Sequence, residues 1–277
     1  MATTETKDLS EHQRLQLQFQ LFQESLPKVN DVVYRMLLKE MLPLAIAVDK
    51  SLSDDEKEDE NDKTEQEHRA AEEKLANLSI GYKGTPSHVL IKEYADSDEE
   101  RRLRIRTKMM KMGYQIGNQV SELLIFSNNP NLNFRDMDLL SVMKFICRDV
   151  WKQLFGKQID NLKTNHRGTF YLFDYDLKLL EGMALNEDAL EKELSVLEPY
   201  LDIPCGILQG VLASLGYENN VSCQATFVDV PESKAGGFRS FPKGVSFNVL
   251  VNVNPTAGGE KTVDAGAKGA GAQSFPV

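Results

Sequence analysis

Apolar residues recur at helical spacing from Leu139 through Met143, Ile146 and Val150 to Leu154, marking one face of a helix. Asn133, with Asp136 three residues on, offers a start for it, and Gly156 offers a stop. The period then changes from helical to alternating. Residues 158–162 and 169–173 read as strands, joined by a turn at Asn165, His166, Arg167 and Gly168. Further on, Val221, Cys223, Ala225 and Phe227 alternate with Ser222, Gln224 and Thr226. Val245, Phe247, Val249, Val251 and Val253 likewise alternate with Ser246, Asn248 and Asn252. Such alternation belongs to antiparallel strands with one buried and one wet face.

Upstream, the spacing predicts helices. Ser10 with Gln13 forms a capping box ahead of the stripe Leu15, Phe19, Phe22 and Leu26, which Pro27 ends. A second helix from Asn30 carries Val33, Met36, Leu37 and Met41; Pro43 is expected to kink or break it before residues 44–48 continue. A third pattern resumes at Ser87, with a capping box at Ser97 and Glu100, and runs to a stop at 127–130. Two helices are expected at 186–201 and from Asp202 onward, the latter apolar nearly all round. Gly113 and Gly117 on one helix, and Gly206 and Gly210 on another, sit four apart where Gly costs about 1 kcal/mol relative to Ala, so another backbone is expected close by. Together these elements make an α+β fold: a four-stranded antiparallel sheet with helices packed on one face.

Composition shifts divide the chain. Residues 51–87 are acidic and then irregular, and residues 255–277 are rich in Gly and Ala; both are expected to be disordered, leaving residues 1–50 and 88–254 as one domain. The formal net charge is −10, but residues 54–74 alone carry eleven acidic and four basic side chains. Their net of −7 leaves only −3 for everything else, which argues against nucleic-acid binding without marking an acidic surface. Cys147, Cys205 and Cys223 fall in apolar stretches and read as buried thiols. His12, His68, His88 and His166 have no companions at metal-ligand spacing, so no metal or cofactor site is expected. No run is long and apolar enough to cross a bilayer, and a cytoplasmic protein is expected.

The N-terminal helices carry more apolar surface than one core needs, which marks Leu15, Phe19, Phe22, Leu26, Val33, Leu37 and Met41 as a candidate partner interface. Lys163 and Arg167 beside the hairpin turn are a candidate subunit contact; Asn165 and Gly168 are explained by turn geometry. Nothing in the sequence forms a catalytic constellation. The competing function is small-ligand or lipid binding, since helices over a sheet can enclose an apolar pocket.

The run Met112 to Gly117, then Ser121 to Leu124, Leu139 to Phe155, Asp160 to Phe170 and Ile203 to Gly210 closely resembles the small adaptor subunits of the transport protein particle, TRAPP, in the subunit-six branch of fungal type. The resemblance spans residues 9–48 and 88–254. It implies a non-catalytic subunit of a vesicle-tethering and Rab nucleotide-exchange complex, peripheral at cis-Golgi and ER–Golgi membranes and paired with the subunit-three paralogue through its N-terminal helices. That paralogue carries an acylated cysteine on its second helix. Here no cysteine precedes Cys147, so the lipid site is expected to be missing.

Overall fold

In the computed structural model, Ser10 starts the first helix as its sequence predicts. Its hydroxyl accepts the Gln13 amide while the Gln13 side chain accepts the Ser10 amide, a capping box over α1 (Glu11–Ser25). There follow α2 (Asp31–Glu58), α3 (Ser87–Ala95), α4 (Glu99–Phe126), α5 (Leu139–Phe145), a π-helical turn (Ile146–Val150) and α6 (Trp151–Phe155). The chain continues through β1 (Asn161–Thr164), β2 (Thr169–Asp174), α7 (Leu190–Leu212), β3 (Val221–Val228), β4 (Gly244–Val251) and β5 (Gln273–Phe275). The structure describes residues 10–26, 29–58, 85–126, 137–183, 190–217, 220–234, 241–252 and 273–275.

The strands form one antiparallel sheet in the order β3-β4-β2-β1-β5. The four expected strands are its body, the first of them shifted from the expected 158–162 to Asn161–Thr164. Cys223, Val245, Phe247, Val249, Leu172, Phe170 and Leu162 are buried, while Ser222, Gln224, Asn248 and Leu250 are exposed, so the alternation read from the sequence separates a packed face from a wet one except at Ser246, which is buried. The helices cover the packed face, with α7 the most apolar of them and buried almost throughout from Pro199 to Leu212.

α4 and α7 cross at glycines. A Cβ on Gly113 would stand 2.2 Å from the Ile203 carbonyl oxygen, and one on Gly206 would stand 2.1 Å from that of Met110. Gly117 and Gly210 repeat the relation one turn on, against Ile207 and Tyr114. The close backbone approach expected from the glycine spacing is therefore real. Beside it, the Arg106 guanidinium donates to both oxygens of Asp202, at 2.8 and 3.1 Å.

The prolines correct the expected helix boundaries. α2 runs unbroken through Pro43, because the Lys39 carbonyl, which loses its donor there, accepts the Tyr200 hydroxyl at 3.1 Å. α7 likewise continues through Pro199 and Pro204, so one helix stands where two are expected. Asp98, not Ser97, caps α4 by accepting the Arg101 amide, and Asp138 caps α5 by accepting that of Ser141. The expected caps Asn133 and Asp136 lie outside the described residues.

Segment boundaries shift too. Residues 51–58, expected in the acidic insertion, extend α2, since adding residues to an existing helix avoids the cost of nucleation. α3 starts at Ser87, where the sequence pattern resumes, so only the insertion's expected last residue, 87, falls inside that helix. Gln273–Phe275, expected in a disordered tail, pair with β1 as β5. Residues 59–84 and 253–272 lie outside the described residues. The three cysteines are buried and free, and burial pushes the Cys147 thiol well up.

Candidate partner-binding surface

α2 presents the longest exposed apolar stripe among the described residues. Val33, Met36, Leu37 and Leu44 are 59, 63, 64 and 57 % exposed, and Val48 and Leu52 extend the row. Val33, Leu37, Leu44 and Val48 stand at i, i+4, i+11 and i+15, so they share one face of a continuous helix. Glu40, exposed on the same face, accepts the Ser87 hydroxyl at 2.7 Å. The opposite face of α2 is core: Leu38, Leu42, Ala45 and Ile46 are buried.

Ionic contacts fix how this stripe is presented. Asp49, buried on α2, accepts from Lys108 at 2.5 Å and lies 3.4 Å from both Arg101 and Arg104 of α4. Burial works to raise the Asp49 carboxyl, but Lys108 and Arg104 prevail and hold it below its usual range. At the other end of α2, Arg35 pairs with Glu181, and the Lys39 ammonium donates to the Glu181 carbonyl.

The α1 stripe is less exposed than that of α2. Leu15, Phe19, Phe22 and Leu26 are half-buried. Phe19 and Leu26 line a cleft of about 870 Å³ with Tyr34, Val120, Leu123 and Leu154, and Phe22 lies beside Gln119 and Leu123. Leu17 and Leu21, on the other side of α1, face outward. Of the seven candidate interface residues, the structure leaves Val33 and Leu37 exposed and packs Met41 against the core. Met36, Leu44, Val48 and Leu52 were missed. For Leu44 and Val48 the signal, at i+11 and i+15 from Val33, is legible only if Pro43 does not divide the helix.

The hairpin is held from below by a buried network. Trp151 Nε1 donates to Asp174 at 2.8 Å, and the same carboxylate accepts from Lys157 at 2.6 Å and from the Asp176 amide at 3.0 Å. In the turn, Asn165 Oδ1 accepts the amides of Arg167 and Thr169, at 2.8 and 3.1 Å. Positive φ falls on His166 (57°) and Gly168 (88°), so Asn165 serves the turn through its side chain and not, as expected, through its backbone. Arg167 is exposed and lines an open cleft of about 830 Å³ with Asp138, Leu140, Asn220 and Asn252. Lys163 has different surroundings: its ammonium lies 5.2 Å from the centre of the Phe173 ring.

Among the described residues no group of three or more metal-ligating side chains converges, and no helix is long and apolar enough to cross a membrane.

Residues 34–252 match the family described as transport protein particle (TRAPP) component. Human trafficking protein particle complex subunit 6B is 35% identical over 132 residues, 48% of this chain and 78% of its own. Human subunit 6A is 37% identical over 119 residues, 43% of this chain and 69% of its own. An uncharacterized protein of Schizosaccharomyces pombe, C13G6.05c, is 33% identical over 132 residues, 46% of this chain and 48% of its own.

Proposed function

Because the chain belongs to the TRAPP component family, we propose that it is a non-catalytic structural subunit of the vesicle-tethering and Rab nucleotide-exchange complex, pairing with the subunit-three paralogue. The observation that carries the pairing is the exposed α2 stripe of Val33, Met36, Leu37, Leu44 and Val48. A row of large apolar side chains on a helix held by ion pairs at the buried Asp49 and the half-buried Glu181 is a preformed docking surface, and burying each side chain of this size contributes roughly 1.5–3 kcal/mol. Leu17 and Leu21 of α1 extend the same interaction. Arg167, open to solvent at the hairpin cleft, contacts a further subunit by pairing with a carboxylate. In this reading the protein is cytoplasmic and reaches cis-Golgi and ER–Golgi membranes only through its complex.

Native mass spectrometry of the chain alone and mixed with the paralogue tests this. A one-to-one complex is expected. A chain that stays monomeric and carries a retained lipid would support the ligand-binding function instead.

A further inference from the structure

The outer edge of β1 carries a strand from beyond the residues that match the family. The family match ends at residue 252, whereas β5 comprises Gln273–Phe275. β5 pairs antiparallel with β1 in the register Leu162 to Phe275, Lys163 to Ser274 and Thr164 to Gln273. Without it, β1 would be an edge strand.

The direction of the β1 amides shows what β5 does there. Asn165 N–H donates to the Thr169 carbonyl, on the β2 side. Peptide N–H groups alternate sides along a strand, so Lys163, opposite Tyr171, also donates toward β2, and Leu162 and Thr164 point the other way. Their partners are therefore Phe275 and Gln273. Unpaired outward N–H and C=O groups are a template for any extended chain, which is why natural sheets cover or blunt such edges. The side chains of Leu162 and Thr164 are buried, and β1 contains no proline; Lys163 is the one charged side chain among its four residues.

The path back to β1 is short. β4 leaves the sheet at Val251, whose amide donates to Gly168 at 2.8 Å, and Gln273 enters opposite Thr164 at the same end of the sheet. From β4 across β2 to β5 is three strand spacings, about 14 Å. The 20 residues from 253 to 272 are enough to cover that several times over, at about 3.3 Å each when extended.

We propose that the outer edge of β1 is a strand-accepting interaction site and that this chain occupies it in cis with its own residues Gln273–Phe275. The occupant is recognised by backbone hydrogen bonds at Leu162 and Thr164. Tethering gives it a local concentration that an untethered competitor must exceed, on the order of millimolar for short linkers. The site thus accepts an extended segment of another chain only when that segment outcompetes the tail. The inference is independent of the pairing through α2.

Hydrogen exchange on the full chain, resolved at single amides, tests it. Leu162 and Thr164 should be protected in the unmodified protein. Gln273→Pro, which deletes the N–H facing Thr164 and disfavours the strand, should speed exchange at both by roughly tenfold or more, with Lys163 and the β2 and β4 amides unchanged. Equal rates at Leu162 and Thr164 in the two proteins would overturn the assignment. Protection that disappears on dilution would also overturn it, by showing that the strand comes from a second copy.

Discussion

The Tyr200 hydroxyl donates to the Lys39 carbonyl at 3.1 Å, replacing the helical donor that Pro43 lacks. The pair makes a testable cycle. Tyr200→Phe leaves a part-buried carbonyl without this donor and should cost about 1–3 kcal/mol in denaturant unfolding. Pro43→Ala restores an N–H for Lys39, so the same tyrosine substitution should cost less in that background. Additive effects of the two changes would show that hydroxyl and proline are not coupled.

Gly206→Ala sets two effects against each other. Helix propensity favours Ala by about 1 kcal/mol. The new Cβ, however, would meet the Met110 carbonyl at 2.1 Å and the Gly113 Cα at 3.0 Å, both backbone atoms that cannot rotate aside. Packing should win, with a net loss of about 1–3 kcal/mol or more by thermal or chemical unfolding.

Gly168 and Arg167 should separate by the same measurement. A Cβ on Gly168, at φ 88°, would stand 2.3 Å from the Val251 carbonyl, so Gly168→Val should lower stability by about 1–3 kcal/mol. Arg167→Ala should stay within about 0.5 kcal/mol of the parent, because the side chain is exposed. Its effect should appear in subunit assembly, measured by co-purification of further TRAPP subunits.

Stability should fall in alkali. Burial raises Tyr94 and Tyr200 from 10.0 to about 12. A folded value above the unfolded one contributes stability that is complete below pH 10 and lost as pH rises through about 12. Unfolding midpoints measured from pH 9 upward should therefore drop through that window, and Tyr200→Phe should reduce the drop.

The strands and helices were legible where one residue type repeated at one period. The alternation around Cys223 and Phe247 placed β3 and β4, and Gly113 with Gly117 announced a close backbone approach on α4, though not that α7 makes it. Pro43, Pro199 and Pro204 misled because their effect depends on distant partners: the donor that rescues the Lys39 carbonyl comes from Tyr200, far along the chain. The same break at Pro43 hid the continuity of Val33, Leu37, Leu44 and Val48. On α1, periodicity identified one apolar face, Leu15, Phe19, Phe22 and Leu26, which is half-buried with Phe19 and Leu26 on the cleft, while Leu17 and Leu21 on the other side are exposed. β5 had no sequence signal, since three residues form a strand only against a waiting edge.

Pairing through α2 is tested most directly by titrating the subunit-three paralogue into the parent chain and into Val33→Asp and Leu37→Asp, by calorimetry. Both positions are exposed, so circular dichroism and melting should be nearly unchanged. A one-to-one complex with the parent, weakened roughly thirtyfold or more by each aspartate, is the predicted result. Binding by both variants within about threefold of the parent would contradict the assignment of this surface.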